Sequence, residues 1–104
     1  MTVIETLYKL AFAKHLIKNL GKKEAQRMAA YYEKLGIISR EDLVDIITCI
    51  EMLPESSEVK GFMDFDDHLK ALRLIWLMKN NKENLDKFEV TESLTRWILI
   101  KDSF

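Results

Sequence analysis

The stretch GKKEAQRMAAYYEKLGIIS, residues 21–39, decides the fold. Gly21 and Gly36 bracket fourteen residues that contain no proline. A glycine reaches the left-handed backbone conformation that stops a helix and lets the chain reverse. The bracketed segment is therefore expected to be a helix of about four turns. A first helix must then end at Gly21, and a third can begin at Ser39, whose hydroxyl caps it with Asp42 three residues later. Within the middle helix Ala25, Met28, Ala29, Tyr32 and Leu35 share one face, with Tyr32 looking inward and Tyr31 towards the rim.

Working upstream, Thr2-Val3-Ile4-Glu5 has the form of a capping box and predicts a helix start. Ile4, Leu7, Tyr8, Ala11, Leu16 and Leu20 follow helical spacing, and Leu10, Phe12 and Ile17 widen the apolar stripe beyond what an exposed helix carries. This helix is expected at the centre of the core. His15 lies close to the stripe with no second metal-ligand type three or four residues away, which points to a hydrogen-bonded core histidine.

Downstream, Leu43, Ile46, Ile47, Ile50 and Leu53 mark the buried side of a third helix that Pro54 must end. Cys49 sits among these isoleucines as a small buried hydrophobe. Residues 54–64 read as a long loop, with Gly61-Phe62-Met63 able to fold back on the core. Asp64 caps a fourth, strongly amphipathic helix whose apolar pattern Leu69, Leu72, Ile75, Trp76 and Met78 continues to about Lys79. After Asn80-Asn81-Lys82, Leu85, Phe88 and Val90 fit a short helical turn. Leu94, Trp97 and Ile98 fit a last helix capped by Thr91, while residues 96–100 fit an extended edge; helix is the expectation. The fold class is all-α, a compact bundle of four to five short helices in a single domain over residues 1–104, with a C-terminal helical extension from about 82 to 104. Its expected centre comprises Leu16, Tyr32, Leu35, Ile46, Ile50, Leu72 and Ile75.

With 48% hydrophobic and 32% charged residues, the 104-residue chain suits an ordered helical globule. No run approaches the roughly 18 apolar residues of a membrane span, and no leader pattern opens the chain, so a cytoplasmic location is expected. The net charge of −1 conceals an asymmetry: residues 1–40 carry eight basic and three acidic side chains, and residues 41–104 eight and fourteen. Such faces either attract one another within the fold or dock charged partners. Nucleic-acid binding through Lys14, Lys18, Lys22, Lys23 and Arg27 is disfavoured by the overall charge and by the lack of a recognition-helix pattern. No phosphate loop, paired metal ligands or nucleophile triad is present. Asp66, Asp67 and His68 are adjacent on a helix and point in different directions, so they cannot share one ion. His68 is expected instead to hydrogen-bond another element. Neither cofactor, metal nor catalytic residue is expected.

Three blocks carry a resemblance. FAKHLIKNLG at residues 12–21, YYEKLGIIS at residues 31–39 and DHLKALRLI at residues 67–75 resemble, in order and spacing, the conserved domain of the archaeal flagellum (archaellum) accessory proteins FlaD and FlaE, relatives of FlaC. The likeness spans about residues 12–78. Phe12 and Ile37 stand where the family tends to have tryptophan, which suggests a different partner surface. The structural positions of the pattern are Gly21, Tyr32, Gly36, Ser39 and His68. What the resemblance implies is a non-enzymatic component on the cytoplasmic side of the archaellum motor, linking chemotaxis adaptor proteins to the ATPase-containing core. The alternative is a small helical nucleic-acid-binding or regulatory adaptor domain unrelated to motility. The partners implied are other motor or chemotaxis proteins, with self-association left open. A docking surface is expected where Ile37 projects beside Tyr31 and the acidic helix start Glu41, Asp42 and Asp45, whereas Ile38 plugs the hairpin into the core.

Overall fold

A computed structural model describes residues 2–80. Within them the chain forms four helices and no strand: α1 Val3–Leu20, α2 Lys22–Lys34, α3 Arg40–Met52 and α4 Phe65–Asn80. The expected C-terminal extension lies outside the described residues.

Each boundary has a local cause. Thr2 Oγ1 accepts the Glu5 amide at 3.1 Å and starts α1. Gly21 ends it, and the Gly21 N–H donates to the Ile17 carbonyl at 2.8 Å. At φ 81° and ψ 165°, however, Gly21 occupies an extended positive-φ region rather than the left-handed helical one. That geometry lets one residue close α1 and open α2 with no loop between them. Gly36, at φ 79°, closes α2 differently: its N–H donates to Glu33 at 2.9 Å and that of Ile37 to Tyr32 at 3.0 Å. This paired pattern satisfies two of the carbonyls a helix end leaves without partners. Ser39 Oγ accepts the Asp42 amide at 3.0 Å and opens α3. Leu53, extended before Pro54, closes it. Asp64 and Asp67 cap α4 reciprocally, each side chain accepting the other's amide at 2.9 and 3.1 Å.

Helix α1 packs against all three others and α2 packs against α3, while α4 lies along α1 and reaches α2 through His68 and the α2–α3 corner through Lys79. Close approach is made possible by alanines, since Ala11, Ala13, Ala25, Ala29 and Ala71 are all fully buried. Phe12, Leu16, Ile46 and Ile50 fill the centre. The apolar girth of α1 is thus explained by neighbours on three sides. Ile38, Cys49, Tyr32 and Ile75 are buried as expected.

Leu35 and Leu72 are exposed instead of central. Leu35 is the residue at which α2 turns, and Ile38, three residues on, takes the core position. In α4 the buried face consists of Asp67, Ala71, Leu74, Ile75 and Met78, whereas Leu69, Leu72 and Trp76 point outward. The helix carries two apolar arcs of equal periodicity, and the arc containing small Ala71 is the one that lets it approach α1. A 2.8 Å bond from His15 Nε2–H to the Asp67 carbonyl holds the helix in that phase.

Between α3 and α4 the loop is pinned to α1, where the Gly61 amide donates to the Asn19 carbonyl at 2.9 Å. Met63 packs on the core, and Phe62 remains exposed with the Lys60 ammonium 5.3 Å from its ring centroid.

Candidate functional site

The residues expected to dock a partner gather around the α2–α3 corner, and the structure divides them. Tyr31 is 59% exposed one turn before α2 ends, and Leu35, also 59% exposed, lies one turn after it. Ile37 is half-buried against the core, and its carbonyl accepts Lys79 Nζ at 2.6 Å, which ties the corner to the end of α4. Glu41 is exposed at the start of α3, followed one turn later by exposed Val44. The surface-facing members of the corner are therefore Tyr31, Leu35, Glu41 and Val44.

Asp42 and Asp45 face the other way, towards Lys9 on α1. Lys9 Nζ lies 2.6 Å from Asp45 and 3.2 Å from Asp42, and only 3% of the lysine is exposed. Burial by itself lowers a lysine pKa; here the hydrogen bonds and charges of the two aspartates outweigh it, and the net shift is upward. The three groups join α1 to α3 and line a cleft of about 470 Å³ that also includes Glu5, Glu41 and Lys79. Lys9 was not singled out by its sequence context. The available signal was a lysine between Tyr8 and Leu10 on a helix that is apolar on nearly every side.

Further charged groups are engaged within the fold. Glu55 accepts the Lys22 amide at 2.9 and 3.2 Å, placing a carboxylate at the α2 N-terminus, where Gly21 provides no side-chain cap. Lys22 Nζ donates to the Glu51 carbonyl at 3.1 Å. Lys60 pairs with Asp67, whose carboxyl sits below its usual range: burial alone would raise it, and Lys60 together with the Asp64 hydrogen bonds overcomes that effect. Between the basic first forty residues and the acidic remainder, Lys9 with Asp42 and Asp45, and Glu55 at the α2 N-terminus, are satisfied internally.

His68 links α4 to α2 through a 2.5 Å hydrogen bond between its Nδ1 and the Tyr32 hydroxyl. The rings meet edge to face at 5.9 Å, and Tyr32 stacks obliquely on Phe12 at 5.8 Å. Burial pushes the Tyr32 phenol up to about 12. Asp66, Asp67 and His68 accordingly make no joint site: Asp66 is exposed, Asp67 faces Lys60, and His68 faces Tyr32. No buried side-chain nitrogen or oxygen among the described residues lacks a partner.

The positions that carry these caps, turns and interhelical ties (Gly21, Tyr32, Gly36, Ser39 and His68) fall inside a match to a family model for archaeal flagella proteins, of the FlaD/FlaE type, that covers residues 2–88. The chain belongs to this archaeal flagella protein family. The match begins at the α1 cap and continues past the end of α4, wider on both sides than the three sequence blocks. Comparison with curated proteins and with solved structures found no match. Family membership supports an archaellum-related role, and the family is one of accessory proteins rather than a known enzyme family. No described helix is long and apolar enough to cross a membrane, and no group of three or more potential metal-ligating side chains occurs among the described residues.

Proposed function

We propose that this chain is a non-enzymatic protein-interaction component on the cytoplasmic side of the archaellum motor, conveying chemotaxis adaptor signals to the motor core. Membership of the archaeal flagella protein family over residues 2–88 carries the reading. The α2–α3 corner provides the contact: Tyr31 and Leu35 offer exposed apolar surface, Glu41 rims it with negative charge, and Ile37, Asp42 and Asp45 hold the corner in shape. A rigid bundle with apolar spots rimmed by charge can bridge two proteins without chemistry.

The test is capture of purified motor-core subcomplex and of purified chemotaxis adaptor by the immobilised chain, compared with Tyr31→Asp and Glu41→Lys. Both positions are exposed, so the variants should melt with the parent chain and lose at least one of the two captures. If the parent chain retains neither protein, the bridging role fails. If it retains both and the variants do too, the role survives and the corner is not the contact.

A further inference from the structure

Helices α2 and α4 both pack on α1, yet their backbones do not meet. Two side-chain ties span the gap, the 2.5 Å bond between Tyr32 and His68 and the 2.6 Å bond from Lys79 Nζ to the Ile37 carbonyl. Helix phase fixes what stands above them. On α2, Lys22 reaches the Glu51 carbonyl and so marks the side of α3, while Tyr32 marks the side of α4. At roughly 100° per residue, Leu35 and Tyr31 lie about 60° and 100° beyond Tyr32, turning away from Lys22. On α4, Asp67 and Ala71 belong to the buried face and His68 faces α2; Leu72 and Trp76 lie about 40° and 80° beyond His68, turning away from Ala71. Tyr31 and Leu35 are each 59% exposed, Leu72 37% and Trp76 61%. The result is an outward-facing groove, floored by the two ties and walled by Tyr31 and Leu35 on one side and by Leu72 and Trp76 on the other.

We propose that this groove receives an acidic amphipathic helix of a partner protein. The proposal rests on the protein-interaction role given above and names the chemistry of the partner. Charge on the rims carries it. From His68 to Asn80, α4 has no acidic residue, while Arg73 and Lys79 are exposed and Lys70 is half-exposed. On α2, Arg27 and Lys34 are exposed; Glu24 is paired with Arg27 at 2.9 Å, and Glu33 lies on the α3 side with Lys22. Apolar walls between basic rims match an apolar stripe with acidic flanks. Form follows from the walls: Leu72 and Trp76 are one turn apart, as are Tyr31 and Leu35, which is the spacing at which a docked helix places its anchors. No sheet edge among the described residues offers a strand a place to add. Glu41 belongs to α3 and to neither wall, so a helix in the groove shares Tyr31 and Leu35 with the corner contact and extends it along α4.

The probes are two fluorescein-labelled helical peptides with one leucine pattern, glutamate filling the polar positions of the first and lysine those of the second. Fluorescence anisotropy with the full chain should show the acidic peptide bound at least about tenfold more tightly than the basic one. Trp76→Ser and Tyr31→Ser, one on each wall, should each weaken the acidic peptide at least about fivefold, and Val44→Ser on the outer face of α3 should not. All three side chains are more than half exposed, so melting temperatures should stay with the parent chain. Should a wall variant nevertheless unfold, Arg73→Glu decides, weakening the acidic peptide and strengthening the basic one. The proposal is overturned if the two peptides bind alike, if only one wall matters, if Val44→Ser loses as much, if Arg73→Glu shifts neither peptide, or if oligothymidylate competes fully, which would identify a plain polyanion site. Purified motor core and chemotaxis adaptor separate this proposal from the bridging role. Capture that survives Trp76→Ser combined with Tyr31→Ser overturns the groove while the role stands; acidic-peptide binding by a chain that captures neither protein supports the groove while the role fails.

Discussion

Helices α1 and α4 are both apolar around most of their circumference, yet α1 is wrapped on three sides and α4 is covered on one among the described residues. The comparison separates two questions that hydrophobic content merges. How much of a helix must be hidden follows from composition; what hides it depends on the neighbours that packing provides. Even the polar residues of α1 are drawn into the interior, with Lys9 neutralised by two aspartates and His15 bonded to the α4 backbone. On α4 the large side chains Trp76 and Phe65 are left outside while Ala71 is buried.

The sharpest way to break this contrast is Phe12→Ala. Phe12 is 2% exposed at the middle of α1, so the truncation should cost about 3–5 kcal/mol in urea unfolding, more than Leu72→Ala on the outer arc of α4. An equal loss at both positions would show that α4's outer face is as central as α1. Next in size is Lys9→Ala, expected to cost about 1–3 kcal/mol because it removes the buried partner of Asp42 and Asp45. Both aspartates are about one quarter exposed and regain water, which keeps the loss below that of a fully buried pair. The folded-state pKa of Lys9 lies above the ordinary value of 10.5, so its contribution is complete below that pH and is lost as pH rises through the folded-state value. Lys9→Met should remove this alkaline loss in pH-dependent melting.

Tyr32→Phe should cost about 1 kcal/mol by deleting the hydroxyl bond that joins α2 to α4 through His68, with helix content unchanged. A much larger loss would mean that α2 and α4 depend on each other more than their separation implies. The smallest effect is at the start of α4. Because the Asp67 carboxyl is held below 3.8, the unfolded chain takes up its proton first, and the stabilisation present above pH 3.8 fades as pH falls through the lower folded-state value. Asp67→Asn should flatten that acid limb, measured as melting temperature against pH.

The elements most legible in the sequence were those with short-range causes. Gly21, Gly36, Ser39, Pro54 and Asp64 each act within a few residues, through backbone freedom or a side-chain bond to a nearby amide, and each stands at a helix boundary. His68 was readable as an interhelical tie because the alternative of one ion shared by Asp66, Asp67 and His68 conflicts with helix geometry. Leu35 leaves the face that helical periodicity assigns it because α2 turns at that residue. Leu72 lies outside for another reason: α4 has two arcs of the same period, and periodicity gives no means of ranking them.

The division follows the range of the forces. By itself the sequence determined four helices, their ends, the central place of α1 and the family pattern from Phe12 to Ile75, since capping, glycine backbone freedom and apolar spacing are local properties. Only the tertiary structure decided which arc of α4 meets α1, that Lys9 is buried between Asp42 and Asp45, and that Glu55 serves the N-terminus of α2. Those outcomes depend on groups more than thirty residues apart meeting at distances of a few ångströms. They turn on the fit of Ala71 against α1 and on the Coulombic preference of a desolvated ammonium for two carboxylates, neither of which leaves a mark in the order of neighbouring residues.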